Sequence, residues 1–362
     1  MNEYWSECIR NIQPYLPGEQ PQIAQLIKLN TNENPYPPSP SVLSAIQEAT
    51  CGDLRLYPDP EGNALKHTIA ELHGLTKDHI FLGNGSDEVL AHTFLSLLKH
   101  KLPILFPDIT YSFYPVYCAL YGIEYETVPL DDNFQVNIFD YRRPNGGIVL
   151  SNPNAPTGSA VSQGEIRSLL GLTPHSVVVV DEAYVDFGGE SVIPLVEKFE
   201  NLIVVQTLSK SRSLAGLRVG FAIGNPSLIE ALNLVKGCFN SYPLDRLALA
   251  GAEAALRDTD YFETMRRQVI NSREWLAEEL KSLGFYVLPS KANFLFVRHT
   301  SFDAKELQQL LREQRILVRH FAKERIVKFL RISVGTMEEC RTLIHKLREI
   351  LEYSLPAMNA RT

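Results

Sequence analysis

Seven short apolar runs recur between residues 80 and 223, and their alternation with amphipathic stretches narrows the possible folds more than any other feature. The runs are Ile80-Phe81-Leu82, Pro103 to Phe106, Glu124 to Val128, Ile148-Val149-Leu150, Val177 to Val180, Leu202 to Val205 and Val219 to Ile223. Between them, residues 86–99 and 163–170 read as helices. The second is opened by Ser162 with Glu165 three residues on, a pairing that satisfies two orphan backbone donors. All the runs but Glu124 to Val128 are uniformly apolar, and such strands need cover on both faces, so the pattern predicts a mostly parallel sheet sandwiched by helices. In such sheets functional groups gather in the loops at the carboxyl ends of the strands.

The flanks read differently. Residues 1–30 form a proline-punctuated arm. Ser39-Pro40 starts a helix that runs to about Thr50, and Gly74 stops a second one. After about residue 255 a long helix (roughly 261–283) leads into shorter strands and helices of α+β texture. The expected organisation is therefore a large α/β domain over 31–254, with 1–30 and 255–362 supplying an N-terminal arm and a smaller C-terminal α+β domain.

Composition excludes some classes. With 362 residues, 45% hydrophobic and 21% charged, the chain has the make-up of a soluble protein with a sizeable core. Its net charge of -7 comes without a basic stripe, so nucleic acid is not an expected partner. The apolar runs are too short to span a bilayer, and the N-terminus lacks the apolar segment of a signal peptide. Five scattered cysteines with no C-x-x-C pair argue for reduced thiols in the cytoplasm, and against a disulfide framework or a thiolate zinc site.

The chemistry sits at the strand ends. The stretch Thr207-Leu208-Ser209-Lys210-Ser211-Arg212-Ser213-Leu214-Ala215-Gly216-Leu217-Arg218 follows an apolar run. It places one amine, Lys210, between two phosphate ligands, Ser209 and Arg218, and so suggests a lysine that forms a Schiff base with pyridoxal phosphate. Gly83-Asn84-Gly85-Ser86-Asp87-Glu88 ends a strand and opens a helix, where backbone N–H groups make an anion site. It partly imitates a dinucleotide fingerprint, but Glu88 occupies the place of the third glycine. Asp181 closes the strand Val177 to Val180 and is followed by Tyr184. As the magnesium carboxylate of an ATPase it would need a phosphate loop, and no G-x-x-x-x-G-K-[ST] exists here. The other reading pairs it with a pyridinium nitrogen, which its charge keeps protonated. Tyr111 can lie flat on a cofactor ring, and an asparagine of Asn152-Pro153-Asn154-Ala155-Pro156-Thr157-Gly158 can donate to a phenolic oxygen. Taken singly each motif has a plainer reading, as a solvated lysine, a helix cap, a loop or packing. Their order on successive strand ends is what carries weight.

In that order the chain resembles the fold-type I pyridoxal-phosphate-dependent aminotransferases over nearly its whole length. Leu29-Asn30-Thr31-Asn32-Glu33-Asn34-Pro35, Pro14-Tyr15, Tyr57-Pro58 and Leu330-Arg331-Ile332-Ser333-Val334-Gly335 are similar to the histidinol-phosphate aminotransferases among them. The resemblance implies that Lys210 carries the cofactor and shuttles the proton, that Asp181 pairs the ring nitrogen, and that Tyr184 and an asparagine bind the phenolic oxygen. It further implies that Tyr111 stacks, that Gly85, Ser86, Asp87, Ser209 and Arg218 hold the phosphate, and that Tyr57 reaches it from the second subunit of a homodimer. Arg331 is implied to bind the acidic group common to histidinol phosphate and glutamate, with Tyr15 and Arg319 as further candidates and Asn30 as a substrate-binding residue. Where that family has asparagine directly before Pro-Thr-Gly, this chain has Ala155; Asn154 is expected to supply the amide instead, ahead of Asn152. The implied activity is transamination of L-histidinol phosphate with 2-oxoglutarate. An aromatic aminotransferase, a phosphothreonine decarboxylase and a non-catalytic regulator that binds the cofactor stay open.

Overall fold

The computed structural model describes residues 3–6, 9 and 12–359, so Cys8 lies outside the described residues. The chain runs β1 (Ile27–Lys28), α1 (Pro40–Ala49), α2 (Asn63–His73), β2 (Ile80–Asn84), α3 (Gly85–Leu97), β3 (Ile104–Pro107), α4 (Tyr114–Tyr121), β4 (Tyr125–Val128), β5 (Ile148–Ser151), α5 (Gln163–Leu172), β6 (Val178–Asp181), β7 (Leu202–Thr207) and β8 (Val219–Gly224). It continues through α6 (Pro226–Phe239), α7 (Arg246–Arg257), α8 (Thr259–Ser282), β9 (Phe285–Val287), β10 (Phe294–His299), α9 (Ala304–Glu313), β11 (Ile316–Leu317), β12 (Arg319–His320), β13 (Leu330–Ser333) and α10 (Met337–Asn359).

The seven expected strands form one sheet, ordered β2-β8-β7-β6-β5-β3-β4. Its central strands are apolar on both sides because each face has its own core. Val178 and Val180 of β6, Leu202 and Val204 of β7, and Ile148 and Leu150 of β5 belong to one core, while Val179, Ile203, Val205 and Val149 belong to the other. This is the period-2 alternation of a strand with both faces covered. Each such side chain contributes about 1.5–3 kcal/mol on burial.

One strand departs from the parallel rule. β8 runs antiparallel to both β7 and β2. The two reversals cancel, so the carboxyl ends of β2 and β7 lie on the same edge of the sheet, and β8 starts there. Asn84 is opposite Val219 and Thr207 is opposite Gly220, which brings the loop before Val219 to the edge where the other strands end. The expected start signals hold. Ser39 accepts the N–H of Val42, and Ser162 with Glu165 forms the capping box of α5.

The C-terminal strands build a second, antiparallel sheet, β12-β13-β10-β9, on its own core with α8, α9 and α10. The N-terminal segment joins it. β1 pairs parallel with β11, Leu29 N–H donates to Leu317 O, and Ser333 N–H donates to Leu29 O. Residues 30–34 are thereby delivered from the second sheet to the edge of the first.

Candidate active site

A cavity of about 190 Å³ opens at that edge, between the two sheets. Its floor is Asp181, the last residue of β6 and 4% exposed. The Asp181 carboxylate accepts the Tyr114 hydroxyl (2.9 Å) and the Ala183 N–H (3.2 Å). Burial pushes its pKa up to about 6, against the pull of those two hydrogen bonds and of Lys210. A carboxylate held this far from water lacks a cation, and a protonated ring nitrogen would supply one.

One wall is an anion cradle. α3 starts at Gly85, and the helix N-terminus directs free N–H groups at the cavity. Gly85 has φ +78, and a Cβ there would collide with the Arg218 guanidinium. A Cβ on Gly220 would strike the backbone of Ser86, so a bare strand β8 is what lets α3 sit so close. Arg218 Nη2 donates to Asp87 Oδ2 (3.0 Å), and the Tyr111 hydroxyl donates to Asp87 Oδ1 (3.0 Å). The Asp87 carboxylate is thus neutralised by the wall, and what it can offer an anion is its backbone N–H at the helix end. Ser209 is fixed from the other side, its N–H donating to Thr207 Oγ1 (3.1 Å). Ser86, Ser209, Lys210 and Arg218 all line the cavity. These residues fit a phosphorylated pyridine: cation-seeking carboxylate at the floor, anion donors on one wall, an amine between.

Lys210 Nζ donates to Thr31 O (3.3 Å) and lies 5.8 Å from the centre of the Tyr184 ring. Tyr111 lines the cavity within an aromatic group of Tyr15, Phe113 and Tyr114. Burial, with the Asp87 charge second, holds its hydroxyl protonated far above the ordinary tyrosine range.

The mouth is cationic. Arg319 and Arg331 are directly opposed in the β12–β13 pairing, and both line the cavity together with Tyr15, Gln20 and Asn30. Like charges placed across a ladder repel. Arg319 Nη2 donates to Leu16 O (3.2 Å) and Arg331 Nη2 to Asn30 O (2.9 Å), but the buried Arg331 Nε has no partner among the described residues. Burial lowers the Arg331 pKa, with the Tyr184 and Tyr15 hydroxyls opposing. An anion between the two guanidinium groups would relieve both the repulsion and the unpaired donor.

Two expectations need correction or re-siting. Asn154 does not reach the cavity. Its Oδ1 accepts Thr110 Oγ1, and its Nδ2 donates to Ile109 O and Thr157 Oγ1, each at 2.9 Å, so the amide is spent holding the turn. Asn152 is likewise closed on Val161, and the residue of this turn that faces the cavity is Ala155. Tyr57 does not line the cavity of its own chain; it is 79% exposed and stacks on Tyr242 at 4.6 Å. Sequence reasoning missed Tyr114 and Asn32. Tyr114 stands three residues beyond Tyr111, at the first turn of α4, and that spacing was its only signal. Asn32 Nδ2 donates to the Tyr184 hydroxyl (3.0 Å).

A lysine, a buried strand-end carboxylate and a helix-end anion cradle on this sheet define a class. The profile of the family described as aminotransferase class I and II matches residues 24–347. At greater resolution, the chain is 60% identical to histidinol-phosphate aminotransferase 1 of Methylococcus capsulatus over 97% of its own length and 98% of the relative's. It is 58% identical to histidinol-phosphate aminotransferase 1 of Pseudomonas fluorescens over 97% of its length and the whole of that relative. The chain belongs to the histidinol-phosphate aminotransferase family of class I and II aminotransferases. A crystal structure of histidinol-phosphate aminotransferase from Sinorhizobium meliloti in complex with pyridoxal-5'-phosphate superposes with a TM-score of 0.87 at 25% identity, covering 98% of this chain and 99% of that one.

Proposed function

We propose that the protein is a pyridoxal-phosphate-dependent transaminase that moves the amino group of L-histidinol phosphate to 2-oxoglutarate, in a ping-pong cycle giving imidazole acetol phosphate and glutamate for histidine biosynthesis. The observation that carries this reading is the opposed Arg319–Arg331 pair above a lysine and a buried carboxylate, in a chain 60% identical to a histidinol-phosphate aminotransferase. When bound, pyridoxal phosphate supplies an electron sink for the carbon that loses its proton. Asp181 keeps the ring nitrogen protonated. The Tyr184 hydroxyl donates to the phenolic oxygen, the N–H groups of Ser86 and Asp87 with Ser209 and Arg218 bind the phosphate, and Tyr111 covers the ring. Lys210 holds the cofactor at rest and then, as a free amine, carries the proton to and from the substrate carbon. Arg331, with Arg319, Tyr15 and Asn30 around it, orients the phosphate of one substrate and a carboxylate of the other.

The active unit in this reading is a homodimer whose partner extends a Tyr57 to the cofactor phosphate; the exposure of Tyr57 and its absence from its own cavity support it. The same reading treats residues 31–254 as a large domain, with 1–30 and 255–362 as the arm and small domain. The reaction is placed in the cytoplasm, supported by the free thiols Cys51, Cys118, Cys238 and Cys340.

The test is a half-reaction. Histidinol phosphate, phenylalanine and phosphothreonine are each added, without a keto acid, to the yellow protein. Loss of the visible band with histidinol phosphate at the lowest concentration is the expected result. Loss with phenylalanine alone moves the assignment to aromatic amino acids, and evolution of carbon dioxide from phosphothreonine moves it to decarboxylation.

A further inference from the structure

The turn that carries an asparagine toward the phenolic oxygen in the resembling family offers Ala155 here, and both neighbouring amides are closed on the turn itself. Tyr184 is therefore left without a companion from that wall. Its companion is Asn32, which lines the same cavity. Asn32 Nδ2 donates to the Tyr184 hydroxyl at 3.0 Å, and Asn32 is 1% exposed.

The direction of that bond is fixed by the rest of the network. Asn32 N–H donates to Ser333 Oγ (2.9 Å), so the Ser333 proton is free to go to Asn32 Oδ1, also at 2.9 Å. With its oxygen occupied by a donor, the Asn32 side chain can present only its NH₂ to Tyr184. Tyr184 must then accept, which leaves its single proton to point elsewhere. Asn32 itself is held in the left-handed region, φ +56, and Asn293 Nδ2 clamps its carbonyl at 3.0 Å. A buried non-glycine residue kept in that region by hydrogen bonds on three sides marks a position the surrounding structure over-determines.

We infer that Asn32 is a positioning residue for Tyr184: by occupying one lone pair of the tyrosine oxygen it directs the Tyr184 proton into the cavity, toward the phenolic oxygen of the cofactor, and so takes over the tuning that an amide at position 155 would give. The inference rests on the cofactor reading above. A donor aimed at a phenolate stabilises its anion and lowers its basicity. Losing the aim makes the chromophore hold its proton to higher pH.

The readout is the pH midpoint at which the visible absorbance of the protein, loaded with pyridoxal phosphate, titrates. Asn32→Gly removes the amide and is at ease at positive φ. It is expected to raise the midpoint by roughly 0.5–1 unit, the size of one net hydrogen bond. Asn32→Asp keeps the side-chain size, takes the Tyr184 proton for itself, and should raise the midpoint at least as far; it also serves if the glycine variant does not fold. In a Tyr184→Phe background, where the midpoint is already raised, Asn32→Gly should add nothing, since it acts through that hydroxyl. An unmoved midpoint in both Asn32 variants overturns the inference, as does an equal further shift in the Tyr184→Phe background. A wild-type protein that takes no colour from pyridoxal phosphate overturns the cofactor reading and this inference with it, whereas a coloured protein with unmoved midpoints overturns only the inference.

Discussion

The floor and the mouth of the cavity solve opposite problems. At the floor every polar side chain is bonded within the chain: Asp181 to Tyr114, Tyr184 to Asn32, Asn32 to Ser333. At the mouth two guanidinium groups face each other across a ladder, and the buried donor Arg331 Nε has no partner among the described residues. A satisfied network holds one geometry before any ligand arrives, which suits proton transfer. Unsatisfied donors beside like charges gain most when an anion enters, which suits recognition. Position relative to the sheet edge sorts the two tasks. The strand ends with Asn32 supply the floor, and Asn30 with the Arg319–Arg331 pair of the second sheet supplies the mouth.

The sharpest way to break this division is Arg331→Gln. If the mouth only recognises, kcat/KM for both the phosphorylated amine and the dicarboxylate partner falls by about 100-fold or more, the scale for losing a buried charge-assisted contact. The visible titration of the bound cofactor stays where it was. Thermal stability of the ligand-free protein holds or rises, because an unpaired buried charge has been removed. Steady-state kinetics and an absorbance titration on one preparation check all three, and a displaced titration would show that the mouth also tunes the floor.

The floor itself makes stability depend on pH. Burial raises Asp181 to about 6 and its neighbour Glu182 to about 7. In an unfolded chain both would lose their protons near pH 4. Between these values the folded protein binds more protons than the unfolded one, so stability falls as pH rises through about 5 to 7. Glu182 is the more self-contained of the two, accepting Ser191 Oγ, Gln206 Nε2 and the Val192 N–H. The melting temperature of the cofactor-free protein should therefore decline across that window, and Asp181→Asn should flatten part of the decline. Pyridoxal phosphate should flatten it too, since a protonated ring nitrogen beside Asp181 favours the carboxylate. A wild-type profile as flat as that of the variant would remove the argument that the floor awaits a cation.

How much of this could be read from the chain follows the same division. Lys210, Asp181 and the Gly85-Ser86 cradle were legible because each terminates or follows an apolar run, and a mostly parallel sheet collects such ends on one edge. Arg218 reaches that edge only because β8 is reversed, a fact that lies in pairing rather than in periodicity. The sandwiching helices were legible as a class, but α4, α6 and α7 were not singled out. Asn154 was misread because nearness in sequence to Pro-Thr-Gly says nothing of which way a turn points its side chains. Asn32 was unreadable for the opposite reason: its partners are 152 and 301 positions away, and only the closure of the second sheet onto the first brings them together.

The smallest effect bears on whether the wall holding the phosphate is complete within one chain. Tyr57→Phe should weaken cofactor binding only about tenfold, the worth of one charge-assisted hydrogen bond of about 1.5 kcal/mol. Its location is decided by a mixed dimer of one Lys210→Ala chain and one Tyr57→Phe chain. If Tyr57 serves the partner's cavity, the only site with a lysine receives its tyrosine from the Lys210→Ala chain and binds the cofactor with native affinity. If Tyr57 serves its own cavity, that same site carries the phenylalanine and binds it weakly. Separately tagged chains, co-expressed and purified through both tags, give the dimer, and the fluorescence of the reduced cofactor counts the occupied site. Native affinity in the mixed dimer would mean that the anion cradle of α3, unlike the floor, is finished only by a second copy of the chain.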